Sequence, residues 1–171
     1  MSILFHKKQI EVRVESLAIE ASFKNNPSNN PVVMICVLNG AFMFFSDLVK
    51  HMRVNCEVDF IRAKTYDGTT AGDVQILKDL ELDLEGKNVY IIDDIYDSGK
   101  TMDTLINHVQ KKNPMSITPL VLFKKKGSNR DGLMWGFELE DEYWIHGYGL
   151  DDERGLSRNL PHVFGYRMEI E

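Results

Sequence analysis

An uninterrupted apolar run, PVVMICVL at residues 31–38, constrains the fold more than any other segment. A strand without polar side chains must be covered on both faces, which is typical of parallel sheets enclosed by helices. Further strand-like segments occur at residues 58–63, 88–92, 117–123 and 143–145. Between them, apolar residues recur at helical spacing at Ile10, Val14, Leu17 and Ala21, at Phe42, Phe45, Val49 and Met52, and at Met102, Leu105, Ile106 and Val109. The alternation predicts an α/β fold with a doubly wound, mostly parallel sheet.

Composition narrows the class of protein. The 171 residues are 43% hydrophobic and 27% charged, which is ordinary for one globular domain. No apolar run approaches the ~20 residues that span a bilayer, and no signal peptide is evident, so a cytoplasmic protein without membrane contact is expected. Cys36 and Cys56 lie in apolar segments without metal-ligand spacing and are expected to be reduced thiols. The net charge of −6 disfavours nucleic acid as a partner.

The most informative motif is VYIIDDIYDSGKT at residues 89–101. Two adjacent carboxylates, Asp93 and Asp94, follow an apolar strand, and a third, Asp97, precedes a Ser-Gly-Lys-Thr turn that opens a helix. Converging N–H groups at a helix N-terminus favour a phosphate, and Gly99 permits close approach. Carboxylates can bind a sugar diol. The motif therefore predicts a ribose 5-phosphate site, the plainer alternative being a helix capped by Asp97 or Ser98.

This segment resembles the ribose-5-phosphate signature of type I phosphoribosyltransferases. Over residues 31–165 the chain is similar to the hypoxanthine (hypoxanthine-guanine) phosphoribosyltransferases of that family. The further matches, in order, are LNGAFMFFSDL at 38–48, DFIRAKTYDGT at 59–69, GDVQILKDL at 72–80, VLFKKK at 121–126 and WIHGYGLDDERGLSRNLPHV at 144–163. The resemblance implies one domain over residues 1–171. Its core would cover about 30–140, and a small hood would be built from about 1–25 and 141–171.

The implied reaction is purine salvage. Such enzymes move ribose 5-phosphate from phosphoribosyl pyrophosphate to hypoxanthine or guanine, giving IMP or GMP and pyrophosphate with Mg²⁺ present. Relatives form homodimers or homotetramers. By resemblance, Asp93 and Asp94 bind the ribose hydroxyls, and Asp97 is the base for a purine ring nitrogen or a group that orients the purine. The 5′-phosphate would be bound by Ser98, Gly99, Lys100 and Thr101.

The resemblance also assigns the purine and the metal. Lys124 would donate a hydrogen bond to the 6-oxo group and disfavour adenine; the alternative is that Lys124, Lys125 and Lys126 form a solvated charge run. Trp144 would stack on the purine, and Ile145 and Asp151 would contact it through their main chains. Mg²⁺ would be held by Asp151, largely through waters, with Asp93 and Asp94 nearby.

Pyrophosphate is expected at the Leu38-Asn39-Gly40 turn, which is often crossed by a cis peptide in relatives. Asn39 stands where many relatives have a basic residue, so only the main-chain contact is expected there and at Gly40. Lys64 and Arg158 are the other candidates. Arg158 follows Asp151 by one residue more than in the family, which leaves Arg154 as the alternative. Residues 65–74 are expected to form a lid, with Thr65 and Tyr66 in its closed state; an ordinary hairpin loop is the alternative.

Two other functions stay open at this point. A xanthine-guanine phosphoribosyltransferase would differ in main-chain contacts that sequence does not reveal, and rates with four purine bases would distinguish it. A nucleotide-sensing RNA-binding regulator on the same fold is disfavoured by the acidic charge and by the presence of Asp97 and Lys124. A gel shift with RNA beside a transfer assay would separate that protein from an enzyme.

Overall fold

The computed structural model describes residues 2–24, 31–66, 73–140 and 143–167. The elements, in chain order, are β1 (Ser2–Phe5), α1 (Lys7–Phe23), β2 (Val32–Leu38), α2 (Phe42–His51), β3 (Cys56–Tyr66), β4 (Asp73–Lys78), β5 (Asn88–Tyr96), α3 (Lys100–Gln110), β6 (Ser116–Lys125), β7 (Met134–Leu139), β8 (Tyr143–His146) and β9 (Val163–Arg167). Among the described helices, none combines the length and the apolar character that crossing a bilayer requires.

The central sheet has six strands in the order β4-β3-β2-β5-β6-β7. Neighbouring strands are parallel except β3 and β4, which pair antiparallel. Strand β2 lies in the middle and its side chains are buried from Val32 to Val37, as the apolar run predicted. The face of the sheet that includes Met34 packs against α1 and α2. The opposite face, which includes Val33, packs against α3. The predicted doubly wound, mostly parallel α/β fold is confirmed.

A second sheet of three antiparallel strands, in the order β1-β9-β8, joins the two ends of the described chain. The segment after β8 contacts α2. The Tyr148 hydroxyl donates a hydrogen bond to Asp47 Oδ2 of that helix at 2.7 Å. Gly149 lies against the carbonyl of Gly40, just before α2. The smaller sheet is thereby joined to the turn that precedes α2. The division into core and hood stays a prediction.

Sequence reasoning missed three strands and misplaced one. Strands β1, β7 and β9 were not predicted, and β4 was anticipated only as a strand-like segment after residues 65–74. Residues 143–145 were predicted as a fifth strand alternating with the helices but belong to the smaller sheet. Strand β7, MWGFEL, contains Gly136 and mixes polar with apolar residues, so its sequence lacks a clear strand period. Strands β1 and β9 have only 4 and 5 residues, which is too short to show a clear pattern.

The apolar face of α2 was also predicted wrongly. Phe42 was placed on that face together with Phe45, Val49 and Met52, but Phe42 is 42% exposed. The buried residues of the helix are Phe44, Phe45 and Leu48. The helix is apolar on nearly every side at its start, so spacing alone could not select the buried face. The cysteines are free thiols as predicted, and burial raises the pKa of Cys36 to about 12.

Candidate active site

A cavity of about 410 Å³ lies at the carboxyl ends of β2 and β5. The turn after β2 lines one side, and the end of β5 together with the start of α3 lines another. Asp151 and Arg158 reach it from the segment that follows β8. Ligands of open α/β sheets bind at this edge, so the cavity is the candidate active site.

Asp93 and Asp94 lie within β5, which continues to Tyr96, whereas the prediction ended this strand at Ile92. The backbone N–H of Asp94 donates to Asp93 Oδ1 at 2.9 Å, and that of Ile95 donates to Asp94 Oδ1 at 2.7 Å. Burial, and then the adjacent Asp94 carboxylate, raises the pKa of Asp93 well above its ordinary value. Burial also raises the pKa of Asp94, against the opposing effect of the Ile95 N–H. Two such carboxylates call for hydrogen-bond donors such as a sugar diol.

Replacing Asp93 by Asn is expected to stabilise the ligand-free, metal-free protein. Folding raises the pKa of Asp93 above its ordinary value of 3.8. The folded protein therefore loses stability as the pH rises from 3.8 towards the raised pKa. The cost grows as the pH rises above 3.8, and Asn can still accept the Asp94 N–H. We expect Asp93→Asn to gain about 0.5–2 kcal/mol, or roughly 2–6 °C in Tm, at pH 7.

Thermal unfolding with a chelator, measured from pH 7 down to pH 4, checks this expectation. The gain should shrink as the pH falls towards 3.8, because Asp93 then binds a proton in both states. Asp131→Asn, at an exposed position in a turn, is the matched control and should change little. A Tm that is unchanged or lower at pH 7 would show that the ionised carboxylate costs no stability.

The start of α3 offers backbone N–H groups to the cavity. The residue that precedes the helix is Gly99, at φ 82°, and no side chain caps the helix. The alternative of a helix capped by Asp97 or Ser98 is therefore wrong. Tyr96, which is buried, lies against the Cα of Gly99, so a side chain at that position would collide with it. The uncapped amides and the helix dipole favour an anion here.

The turn after β2 faces these groups across the cavity. The peptide bond between Leu38 and Asn39 is cis, as the resemblance implied. Asn39 and Gly40 both line the cavity. A Cβ atom at Gly40 would collide with the Asp94 carboxylate, so only glycine allows the turn to lie so close to β5.

Arg158, and not Arg154, lies at the cavity. Its guanidinium donates to the Gly149 carbonyl at 2.7 Å and to Asp151 Oδ2 at 2.6 Å. The intervening loop is organised by Asp152, whose carboxylate accepts the backbone N–H groups of Arg154 and Leu156. The Leu156 N–H bond is the largest of the effects that lower the pKa of Asp152 to about 2.

The residues predicted to bind the purine do not line this cavity, except Asp151. Lys124 is buried and ion-paired with Glu138 at 2.7 Å. Trp144, which is 42% exposed, lines a separate cavity of about 310 Å³ near Arg154 and Tyr166. Ile145 packs into the core cluster, which leaves only its main chain for contact with a ligand. The structure does not bring these side chains together.

Lys64 is not among the described residues that line the cavity, and the predicted lid is described only in part. Lys64 is exposed on β3, whereas its neighbour Ala63 faces the cavity, as strand alternation requires. Thr65 and Tyr66 pair with β4 through their backbones. The lid was predicted over 65–74, of which 67–72 fall outside the described residues. On either side of them, β3 and β4 pair antiparallel.

The residues assigned to Mg²⁺ do not form a ready-made cluster. Within the described part of the chain, no three His, Cys, Asp or Glu side chains are grouped so as to hold a metal ion. Asp93, Asp94 and Asp151 all line the cavity, but Asp151 is ion-paired with Arg158. Their oxygen atoms suit Mg²⁺, which keeps most of its ligands as water and phosphate. The donor set therefore fits a metal that arrives with a phosphorylated substrate.

Two residues that shape the site were missed. Tyr96 packs under Gly99, and its place inside the motif DDIYDSGKT was the available signal. Gly149 packs on the carbonyl of Gly40. The two glycines of the sequence GYG, at residues 147–149, could have indicated a close backbone approach. Both residues fix the positions of backbone amides rather than offering a chemical group.

Comparison with known proteins agrees with this geometry. The family model of the phosphoribosyl transferase domain matches residues 2–153. The hypoxanthine-guanine-xanthine phosphoribosyltransferase of Tritrichomonas foetus is 38% identical, over 93% of this chain and 87% of that protein. The hypoxanthine-guanine phosphoribosyltransferase of Aquifex aeolicus is 35% identical, over 96% of this chain and 93% of that protein.

A solved structure gives the same result. The crystal structure of a hypoxanthine-guanine phosphoribosyltransferase from Bacillus anthracis superposes with a TM-score of 0.87 at 32% identity, covering 95% of this chain and 96% of that one. The family match covers most of the chain, and these relatives are matched over nearly their full length. The chain belongs to the phosphoribosyltransferase family.

Proposed function

We propose that the chain transfers ribose 5-phosphate from phosphoribosyl pyrophosphate to hypoxanthine and guanine, releasing pyrophosphate. One observation carries the proposal: a single cavity unites the half-buried pair Asp93 and Asp94, the uncapped start of α3, and Arg158. These three features match the diol, the 5′-phosphate and the leaving group of one substrate. The homologues named for this activity support it.

In the proposed complex, the 5′-phosphate accepts hydrogen bonds from the backbone of residues 98–101. The ribose hydroxyls donate to the carboxylates of Asp93 and Asp94. These hydrogen bonds favour the ionised carboxylates, against the burial and the Asp94 charge that raise the pKa of Asp93. As the bond at the anomeric carbon breaks, the sugar gains positive charge, which the nearby carboxylates stabilise.

The leaving pyrophosphate is assigned to the Asn39–Gly40 backbone and to Arg158. Arg158 is held by Gly149 and Asp151, so its guanidinium is oriented before the substrate arrives. Asp151, with Asp93 and Asp94 on the ribose side, would hold Mg²⁺ mainly through waters. When bound, the metal neutralises charge on the leaving pyrophosphate.

The purine is assigned to the space next to Asp97, under Trp144. Asp97 is exposed directly after β5, where its carboxylate can take the proton of a purine ring nitrogen. Lys124 donates to the 6-oxo group, and Ile145 and Asp151 contribute main-chain contacts. Since Lys124 and Trp144 lie off the cavity in this structure, closure over the base is part of the proposal. The smaller sheet acts as the hood, and Thr65 and Tyr66 as part of the lid.

The test is a transfer assay with four bases. With phosphoribosyl pyrophosphate and Mg²⁺, hypoxanthine and guanine should give IMP and GMP in step with pyrophosphate. Adenine should be about 10–100-fold poorer in kcat/KM, because its amino group faces the Lys124 donor. Xanthine is included because one relative carries it in its name. Absence of nucleotide from every base, or a gel shift with RNA at physiological salt, would contradict the proposal.

The assembly and the compartment belong to the same proposal. We expect a homodimer or homotetramer acting in the cytoplasm. Phe42 of α2 and Val58 and Phe60 of β3 are exposed large apolar side chains, which supplies apolar surface for a second copy. Light scattering after size exclusion would measure the mass, and a monomer at micromolar concentration would contradict this part.

A further inference from the structure

The ammonium group of Lys124 is held by three groups that the family resemblance does not involve. Lys124 Nζ lies 2.7 Å from Glu138 Oε2, on the neighbouring strand β7, where the two residues are register partners. Asn129 Oδ1 lies 3.3 Å from the same nitrogen, and the Trp135 ring centroid lies 4.8 Å away. The side chain of Lys124 is only 5% exposed, so these contacts surround a nearly buried charge.

A buried ammonium needs such contacts. An ammonium group that is removed from water loses its hydration, which an anionic neighbour and oxygen acceptors must replace. The hydrogen bond from Lys124, and its charge, lower the pKa of Glu138, so Glu138 is ionised throughout the neutral range. Two oxygen acceptors occupy two of the three ammonium donors, which leaves one donor for a ligand.

We propose that Glu138 is a positioning residue that fixes the Lys124 ammonium for the purine 6-oxo group and thereby enforces the preference for 6-oxopurines. This inference rests on the proposed function, in which Lys124 contacts the base. Glu138 is 47% exposed in its side chain and does not line the main cavity, so we expect its effect on the base to be exerted through Lys124.

The chain contains a matched control. Two residues further along both segments, Lys126 Nζ lies 3.0 Å from Glu140 Oε1, with both side chains more than half exposed. This lysine–glutamate pair has the same charged groups as Lys124 and Glu138 and nearly the same nitrogen–oxygen distance, but it is exposed to solvent. An exposed pair contributes little, so its loss should leave kinetics unchanged.

The experiment compares Glu138→Gln with Glu140→Gln in steady-state transfer assays. Glu138→Gln should raise KM for hypoxanthine about ten-fold, the loss expected for a charge-assisted hydrogen bond. The kcat and the KM for phosphoribosyl pyrophosphate should stay within about two-fold, and the preference for hypoxanthine over adenine should fall about ten-fold. Glu138→Asp, which keeps the charge, should recover part of the preference. Glu140→Gln should match the unmodified chain.

Asn129→Ala provides a second variant that keeps the inference testable if Glu138→Gln fails to fold. It removes the more distant acceptor and should raise KM for hypoxanthine about three-fold without changing kcat.

Equal kinetics in Glu138→Gln and Glu140→Gln would overturn the inference. So would a parallel rise in both KM values with a lower Tm, since that pattern indicates general disruption. An unmodified chain that transfers to no base would instead overturn the proposed function, and the inference with it.

Discussion

Replacing Asp97 by Asn is expected to lower the rate of transfer by about 10²–10⁴-fold, the usual contribution of general acid–base catalysis. Asp97 lines the cavity directly after β5 and is exposed, so a purine can reach its carboxylate. Asn has the same shape but cannot accept a proton. Binding of phosphoribosyl pyrophosphate should be preserved, because that substrate is assigned to Asp93, Asp94 and the start of α3.

The measurement is a single-turnover experiment, which separates the chemical step from release of products. Asp131→Asn is the control, since Asp131 is exposed in a turn outside the cavity lining. If the single-turnover rate of Asp97→Asn equals that of the unmodified chain, Asp97 is not the base. A rise in KM for the purine with an unchanged rate would instead assign it to orientation of the base.

Gly149→Ala is expected to cost about 2–5 kcal/mol of folding stability, from backbone strain and from a collision. Gly149 has φ 101°, and an added Cβ would meet the carbonyl oxygen of Gly40. Because a backbone atom cannot rotate away, the turn at residues 38–40 or the segment after β8 must shift. The shift would displace the amides assigned to pyrophosphate, and the Gly149 carbonyl that accepts from Arg158.

The matched control is Gly127→Ala. Gly127 has φ 83°, but nothing lies within 4 Å of its added Cβ, so this variant carries only the strain of about 1–2 kcal/mol. Thermal unfolding should lower Tm by about 5–15 °C for Gly149→Ala and clearly less for Gly127→Ala. KM for phosphoribosyl pyrophosphate should rise only in the first. Equal losses in the two variants would show that the contact with Gly40 has no consequence.

The sequence predicted the central part of the fold because its signals are strong there. The run at residues 31–38 could only be a strand covered on both faces, and the spacing of Met102, Leu105 and Val109 identified the buried face of α3. The smaller sheet was not predicted as such, because β1 and β9 meet only through long-range pairing. No local pattern encodes a register between residues about 160 positions apart.

The part of the candidate site that was predicted is likewise the part encoded by neighbouring residues. Asp93, Asp94 and residues 97–101 are consecutive, so one motif revealed them and the structure brings them to one cavity. The contact between Gly149 and Gly40 depends on how the segment after β8 packs on the main sheet. The ion pair of Lys124 with Glu138 likewise depends on the pairing of β7, a strand that sequence reasoning missed.

A crystal structure of the chain with IMP bound tests the central claim most directly. The account predicts the 5′-phosphate on the backbone amides of residues 98–101, the ribose hydroxyls within hydrogen-bond distance of Asp93 and Asp94, and the purine beside Asp97. A nucleotide bound elsewhere, with the cavity at the end of β5 empty, would contradict it.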